Sequence, residues 1–307
     1  MKAFLFPGQA SQYTGMGKDL YEEFALAREY FDKADDILKL NLKETCFNGP
    51  DDRLVRTEFT QPAIFVHSVI VDSLLKQAGL RPQIAAGHSL GEYSALVSAG
   101  VLSFEEGLEA VKRRSQLMQK CCDEYPGAMA AIVGLSFDDV NRVIAGIDGV
   151  SSANYNSPDQ VAITGTIKSV ENACEILKQA GAKKAIMLAV GGAYHSPLMQ
   201  YAKDKLGDYI NSLEFRNFNF PIVANVTGKM VNEPAAMKRL LNEQMTSPVL
   251  WYPTLETMYE NKFSEYYEIG PGKVLQGLLK RSFKGREYEA KGFDTAEQVN
   301  QLMGAMK

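Results

Sequence analysis

The strongest constraint on the fold is a serine between two glycines, in the heptapeptide GHSLGEY at residues 87–93. The apolar segment Pro82 to Ala86 precedes it, and a stretch typical of a helix, Glu92 to Ala99, follows and stops at Gly100. A serine in a sharp strand-to-helix turn has strained backbone dihedral angles, and glycines two positions before and after it prevent a clash. The pattern predicts a nucleophile elbow with the Ser89 hydroxyl exposed at a helix N-terminus.

The amino-acid composition limits the classes of protein to which this chain can belong. With 307 residues and 46% hydrophobic content, the chain is long enough to bury a large core. No apolar run reaches the roughly 20 residues that span a bilayer, and Lys2 to Phe6 is too short for a signal peptide. The four cysteines lack metal-site or disulfide spacing, so we expect reduced thiols, no metal and a cytoplasmic location. A net charge of -4 gives no reason to expect a nucleic acid partner, and we expect no membrane partner either.

The order of strand-like and helix-like segments predicts an α/β fold with a mostly parallel sheet. A strand at residues 2–6 is followed by a loop at 7–17 and helical stretches to about residue 40. Gln61-Pro62 is expected to open a buried helix that ends before Gly79, because proline is favoured in the first turn. Ser103 to Glu106 has the pattern of a capping box and predicts a helix to about Glu124.

From Gly127 the predicted strands and helices follow a different order. Strands at 128–135, 150–155, 160–164 and 183–190 and helices at 137–147 and 170–180 give the order βαββαβ, the ferredoxin-like unit. We therefore predict a small ferredoxin-like subdomain at 126–192, inserted into a large α/β-hydrolase-like domain formed by 1–125 and 193–307. Strands at 222–226 and 265–269 and a final helix after Gly270-Pro271-Gly272 complete the large domain.

A serine nucleophile needs a base, most often histidine, and the chain has three. His88 adjoins Ser89, so its side chain should point away from the hydroxyl. His67 lies in the predicted buried helix, where a core histidine is the more usual finding. His195, where the inserted unit returns the chain to the large domain, is the remaining candidate, although a surface-loop histidine is the alternative. We predict a Ser89–His195 dyad. Whether a backbone carbonyl or an amide orients the base stays open.

Attack on a carbonyl group also needs an oxyanion hole. The backbone N–H after the nucleophile, that of Leu90, is the standard donor. The loop Pro7 to Gln12 directly follows the first strand and is a candidate for the second donor, since Gly8 permits close backbone approach. An ordinary strand-to-helix turn is the alternative interpretation of this loop.

Arg114 is the other informative residue. It shares a helical stripe with Ala110, Leu117 and Cys121, whereas Arg113 lies on the solvent-facing side. An inward guanidinium is costly unless an anion meets it. Its partner is either a structural carboxylate or the carboxylate of a substrate. A free substrate carboxylate can accept two parallel hydrogen bonds from the planar guanidinium.

Eight segments together resemble the malonyl-CoA:acyl carrier protein transacylases, which share an acyltransferase fold with polyketide synthase modules. The resemblance covers nearly the whole chain, and its specificity comes from the combination. The segments are PGQASQ at 7–12, TQPA at 60–63, GHSLGEYSAL at 87–96, RSQLMQ at 114–119, NYNSP at 154–158, GAYH at 192–195, SPV at 247–249 and GPGK at 270–273.

The resemblance implies a two-step exchange without a cofactor, in which malonyl-CoA is a substrate. Ser89, activated by His195, attacks the malonyl thioester and coenzyme A leaves. The phosphopantetheine thiol of acyl carrier protein then takes the malonyl group, which supplies fatty acid biosynthesis. The resemblance also implies that backbone N–H groups of Gln9 and Leu90 bind the oxyanion and that Arg114 binds the malonyl carboxylate.

In the family a carbonyl near the SPV segment orients the catalytic histidine. Some members carry glutamine at the position that we align with Leu250. If the contact uses the main chain, nothing is lost in this chain; if it uses an amide side chain, the leucine cannot supply it.

Three other interpretations compete with this one. A serine esterase or thioesterase of the α/β-hydrolase type would pass the acyl group to water. It is disfavoured because the sequence shows no recognisable triad aspartate and no HGGG-type loop, and the inserted unit is foreign to simple hydrolases. A non-catalytic scaffold that binds acyl carrier protein would not need both Ser89 and His195. A trans-acting acyltransferase of a polyketide pathway would use the same chemistry.

Overall fold

The computed structural model describes residues 1–305. Two short 3₁₀ helices, Pro197–Met199 and Gln244–Thr246, accompany the longer elements. In chain order these are β1 (Lys2–Phe6), α1 (Lys18–Glu23), α2 (Ala25–Leu38), α3 (Leu42–Asn48), α4 (Asp51–Leu54), α5 (Thr57–Gln77), β2 (Ile84–Gly87), α6 (Gly91–Ser98), α7 (Phe104–Glu124), β3 (Gly127–Val133), α8 (Phe137–Ile144), β4 (Val150–Ser157), β5 (Gln160–Thr166), α9 (Ile167–Gln179), β6 (Lys184–Met187), α10 (Gln200–Ser212), β7 (Ile222–Val223), β8 (Met230–Val231), α11 (Pro234–Glu243), α12 (Trp251–Glu260), β9 (Glu265–Ile269), α13 (Val274–Ser282), β10 (Glu289–Phe293) and α14 (Ala296–Ala305).

Six strands form the large sheet, in the order β10-β9-β1-β2-β7-β8. Its strand pairs are parallel except β7 with β8. The apolar runs of β1 and β2 are buried throughout, as expected for strands covered on both faces. Phe6 pairs with Gly87, so β1 and β2 end side by side. The loop after β1 and the elbow after β2 therefore meet at one edge of the sheet.

Four strands form the small sheet, which is antiparallel with the order β4-β5-β3-β6. With α8 and α9 these strands make the βαββαβ unit, so the predicted fold class is confirmed. A separate apolar core that includes Ile132, Val161 and Leu177 lies beneath this sheet. We propose 126–192 as a small domain and 1–125 with 193–307 as a large one, and this separate core supports the division.

The two sheets are joined through the backbone of one short segment. The Tyr155 N–H in β4 donates to the Val249 carbonyl at 2.9 Å, and the Val249 N–H donates to the Ala153 carbonyl at 2.8 Å. Because Val249 lies just before α12, this pairing ties the small sheet directly to the large domain.

Four sequence predictions need correction. Helix α5 begins at Thr57 and contains Pro62 in its second turn, because burial of Thr57 and Phe59 favours helix before the proline as well. The strands predicted at 183–190 and 222–226 are shorter, Lys184–Met187 and Ile222–Val223. The helix after Gly272 is not the final element, since α13 is followed by β10 and α14. The sequence EAKGF of β10 is mostly exposed and lacks the apolar pattern that predicts a strand.

Residues 1–305 contain no helix that is both long and apolar enough to cross a membrane. No group of three or more histidine, cysteine or acidic side chains is placed to hold a metal ion in the same part of the chain. The four cysteines, Cys46, Cys121, Cys122 and Cys174, are buried free thiols.

Candidate active site

The turn at Ser89 has the geometry that the sequence pattern predicts. Ser89 has a φ of 53°, in the left-handed region. A Cβ atom on Gly87 would collide with the Gly91 backbone, and one on Gly91 would collide with the Phe6 carbonyl oxygen of β1. The Asn225 amide holds the turn, since Oδ1 accepts from the Ser89 N–H at 2.8 Å and Nδ2 donates to the Gly87 carbonyl at 2.7 Å. Packing and hydrogen bonds therefore maintain the strained dihedral angles.

The structure brings His195 to the nucleophile. The distance from Ser89 Oγ to His195 Nε2 is 2.8 Å. On the other side of the ring, Nδ1 lies 3.0 Å from the Gln244 carbonyl oxygen and 3.1 Å from that of Ser247. Because carbonyl oxygens only accept, Nδ1 carries the proton and Nε2 is free to accept one. Two backbone carbonyls thus occupy the place of the third member of a triad.

The environment of His195 favours the neutral ring. Burial and the nearby positive charge of Arg114 lower the pKa of His195 to about 3, against the opposing effect of the two carbonyls. A neutral imidazole with a free Nε2 is the form that a general base requires.

The glutamine that contacts the base in this structure is Gln244, and Leu250, the position that we align with the family's glutamine, does not contact it. Gln244 follows α11 directly and lies three residues before Ser247, whereas Leu250 caps α12 and donates its N–H to the Asn225 carbonyl at 2.9 Å. The main chain of Gln244 orients His195, and its side chain enters the same site. The main-chain support left open by the sequence is therefore present, whereas the Gln244 side chain bonds to Arg114, Glu92 and the Ser89 carbonyl rather than to the imidazole ring.

The other two histidines have separate contacts. His88 Nε2 lies 2.9 Å from Asn156 Oδ1, which joins the elbow to β4. His67 Nε2 lies 3.2 Å from Asp294 Oδ1, inside the core beside α5. His67 is a core histidine, as predicted, and the pairing of His88 with Asn156 agrees with the expected direction away from Ser89.

Arg114 is 1% exposed and lies beside the nucleophile. Its Nη1 donates to Gln61 Oε1 at 2.7 Å, and its Nη2 donates to Gln244 Oε1 at 3.1 Å and to Ser89 Oγ at 3.0 Å. All three partners are neutral, and its Nε has no hydrogen-bond partner in residues 1–305. The sequence left a structural carboxylate open as the partner of Arg114, but no carboxylate of residues 1–305 bonds to this guanidinium.

A cavity of about 230 Å³ between the two sheets reaches Ser89 and Arg114. The backbone N–H groups of Leu90 and Gln9 donate no hydrogen bond to other groups in the described chain, and both residues line the cavity. A Cβ on Gly8 would collide with the carbonyl oxygen of His88, so glycine is required for this close approach of the β1 loop to the elbow. Further lining residues include Met118, Met129, Asn154, Leu188, Tyr194 and Leu278.

Four polar residues of the site were not singled out from the sequence. They are Gln61, Glu92, Asn225 and Gln244, all at most 1% exposed. Gln61-Pro62 was interpreted as a helix start and Glu92 as part of the helix after the elbow, and neither was given a role in the site. Charged and amide side chains in segments that are otherwise buried are the available signal, because such groups need partners.

The family model described as acyl transferase domain matches residues 3–307. The chain belongs to the acyl transferase family. A relative of this acyl transferase, the malonyl CoA-acyl carrier protein transacylase of Bacillus subtilis, is 41% identical over 283 residues, which are 91% of this chain and 89% of the relative. The protein of that name in Staphylococcus aureus (strain MRSA252) is 37% identical over 301 residues, 97% and 96% of the two chains.

Solved acyl transferase structures have the same fold. The acyl carrier protein S-malonyltransferase of Vibrio cholerae has a TM-score of 0.92 at 38% identity, covering 98% of this chain and 99% of its own. PlMCAT, a malonyl-transacylase solved in complex with AntF, a type II PKS acyl-carrier protein, has a TM-score of 0.94 at 38% identity, covering 99% of both chains.

Proposed function

We propose that this acyl transferase moves the malonyl group of malonyl-CoA to the phosphopantetheine thiol of acyl carrier protein, through a malonyl ester on Ser89. The observation that carries the proposal is the position of Arg114. Its buried guanidinium touches the hydroxyl of the Ser89–His195 pair and has only neutral partners. A substrate with a carboxylate near its thioester supplies the missing anion.

In the first half-reaction His195 is the general base. Its Nε2 takes the hydroxyl proton as Ser89 Oγ attacks the thioester carbonyl carbon. The N–H groups of Leu90 and Gln9 donate to the oxyanion, and the elbow places the Leu90 N–H beside the nucleophile. The tetrahedral intermediate collapses when the carbon–sulfur bond breaks, and His195 returns the proton to the coenzyme A thiolate.

The second half-reaction runs the same steps with a different thiol. The phosphopantetheine thiol gives its proton to His195 Nε2 and attacks the malonyl ester. The carbon–oxygen bond to Ser89 breaks, and Oγ recovers the proton. The carbonyl oxygens of Gln244 and Ser247 hold Nδ1–H throughout, so the ring keeps its tautomer in both steps. These steps use no cofactor, because the thioester supplies the leaving group.

Selectivity follows from the charge of Arg114. A malonyl carboxylate pairs with the guanidinium, whereas an acetyl group leaves it with neutral partners. Leaving a buried charged group unpaired costs on the order of 1–3 kcal/mol or more, so uncharged acyl groups of similar size are poorer donors.

The partners of this reaction are malonyl-CoA and acyl carrier protein, and the product supplies fatty acid biosynthesis. Delivery to a polyketide carrier is the second candidate, favoured by the likeness to PlMCAT with its type II PKS carrier. The chemistry on Ser89 is the same for both carriers. The predicted cytoplasmic location stays a proposal.

Intact-protein mass spectrometry tests the proposal. Brief exposure to malonyl-CoA should give a malonyl adduct that Ser89→Ala lacks and that added acyl carrier protein removes. Ser94→Ala is the matched control, because this hydroxyl lies buried and unpaired on the same helix α6 and should not affect the adduct. An adduct that decays to free malonate in water, or that forms equally from acetyl-CoA, would favour the hydrolase instead.

A further inference from the structure

A buried acid lies one helical turn beyond the nucleophile. Glu92 is 1% exposed on α6, and its two carboxylate oxygens have different partners. Oε1 accepts from the Asn225 backbone N–H at 2.7 Å, and Oε2 accepts from Gln244 Nε2 at 2.6 Å. Among residues 1–305 no cation forms an ion pair with it. The carboxylate of Glu92 is therefore held by two N–H donors.

Gln244 links this acid to the reacting groups. Besides Glu92, its Nε2 donates to the Ser89 carbonyl at 2.9 Å, and its Oε1 accepts from Arg114 Nη2 at 3.1 Å. Its backbone carbonyl accepts from His195 Nδ1. One residue thus contacts the nucleophile, the base and the arginine.

The direction of the Gln244 amide matters because its two ends have opposite hydrogen-bonding character. The NH₂ end donates and the oxygen accepts. Both Glu92 oxygens accept, one from the Asn225 N–H and the other from Gln244 Nε2, so Glu92 requires the NH₂ end to face it. The oxygen end then faces Arg114, whose guanidinium only donates. With the amide reversed, two acceptors would meet at Glu92 and two donors at Arg114.

We propose that Glu92 is a positioning residue of the acyl transfer: by fixing the direction of the Gln244 amide, it holds the Arg114 guanidinium in place for the acyl carboxylate. This inference rests on the proposed function, because it concerns the selectivity of that reaction. It also accounts for a carboxylate so deeply buried without a cation, which burial alone disfavours.

The variant Glu92→Gln tests the proposal, because it replaces the carboxylate with an amide of nearly the same shape. The Asn225 N–H is part of the backbone and cannot turn, so the new side chain keeps its oxygen there and presents NH₂ to Gln244. The Gln244 amide must then reverse and turn its own NH₂ toward Arg114. We expect the kcat/KM ratio of malonyl-CoA over acetyl-CoA to fall by about 10- to 100-fold.

The control is Asp72→Asn. Asp72 is a buried acid on α5 that accepts from Lys76 at 2.7 Å and Ser98 at 2.8 Å, and it does not line the cavity. This variant loses a buried charge as Glu92→Gln does. Its malonyl-to-acetyl ratio should stay within about twofold of the wild-type value, whatever its effect on thermal unfolding.

Gln244→Met provides the second measurement. Methionine keeps the length and removes the amide, so this variant should lose selectivity by itself. Adding Glu92→Gln to it should change the ratio by less than about twofold, because the group through which Glu92 acts is gone. Independent, multiplicative effects would overturn the proposal.

The other outcomes separate a failure of the proposed function from a failure of the role of Glu92. A wild-type protein that transfers no malonyl group would refute the proposed function itself. A wild-type protein that prefers malonyl, beside a folded Glu92→Gln variant with unchanged selectivity, would refute only the role of Glu92. If Glu92→Gln does not fold, Gln244→Met decides alone: loss of selectivity supports the proposal, and the wild-type ratio overturns it.

Discussion

At the scale of single residues, position on a helix separates two neighbouring arginines. Arg113 is half exposed and pairs with Glu109 at 2.8 Å on the outer face of α7. Arg114 is buried against the serine hydroxyl. The difference of one residue, about 100° around the helix axis, separates a solvent ion pair from the candidate substrate contact.

Arg114→Ala should therefore reduce kcat/KM for malonyl-CoA by about 10- to 100-fold and reduce that for acetyl-CoA much less. The physical reason is the loss of the carboxylate's partner. Steady-state transfer to acyl carrier protein with each donor measures both values, and Arg113→Ala serves as the control on the same helix. Equal losses for the two donors would contradict the assignment of Arg114.

The buried base should leave a signature in the pH dependence of stability. The pKa of His195 is lowered from 6.5 to about 3, so the unfolded chain binds a proton below pH 6.5 that the folded chain refuses until about pH 3. The wild-type protein should therefore lose free energy of unfolding, relative to His195→Gln, as the pH falls from 6.5 toward 3. Above pH 6.5 the difference should be constant. Urea unfolding of both proteins between pH 4.5 and pH 8 measures it, and a difference independent of pH would contradict a buried neutral ring.

At the scale of elements, the elbow depends on the contact of α6 with β1. Gly91→Ala should lower the free energy of unfolding by about 2 kcal/mol or more, because the added methyl group meets the Phe6 carbonyl oxygen, which cannot move out of the sheet.

Gly277→Ala is the matched control for this substitution. Gly277 lies in helix α13 with nothing within 4 Å of an added Cβ. Alanine there should raise stability by about 0.5–1 kcal/mol through helix propensity. Denaturant unfolding compares the two variants. A Gly91→Ala protein as stable as the wild type would show that the elbow can relax.

The elements also show where sequence reasoning succeeds. The capping box from Ser103 to Glu106 begins α7 as predicted, because capping depends on four consecutive residues. The βαββαβ unit was predictable from its alternating pattern. The start of α5 was not, since packing of Thr57 and Phe59 outweighs the preference of Pro62 for a first turn.

At the scale of the whole molecule, the contacts that complete the site join distant parts of the chain. Ser89 and His195 are 106 positions apart, and Glu92 and Gln244 are 152 apart. The glycines around Ser89 indicated the nucleophile, and His195 was the remaining candidate among the three histidines. The role of Gln244 was not predicted, since an amide that completes a buried network has no local pattern to mark it.

The backbone pairing between the small sheet and Val249 predicts a coupling between the two parts of the molecule. Val249→Pro removes the N–H that donates to the Ala153 carbonyl, so amide hydrogen exchange in β4 should accelerate. The neighbouring Ser247 carbonyl orients His195, so kcat should fall as well. Val249→Ala keeps both hydrogen bonds and should preserve the slow exchange. Unchanged exchange in the proline variant would show that other contacts hold the sheet.

The hydrogen bond from Arg114 to Ser89 Oγ has a consequence for chemical probes. A lone pair of the nucleophile is occupied by the guanidinium, beside a base that is already in its active form. A neutral electrophile designed for serine hydrolases must compete with that cation. An electrophile with its own carboxylate draws the guanidinium away and exposes the oxygen as it binds. Anionic warheads should therefore label this enzyme in mixtures where neutral ones label the hydrolases.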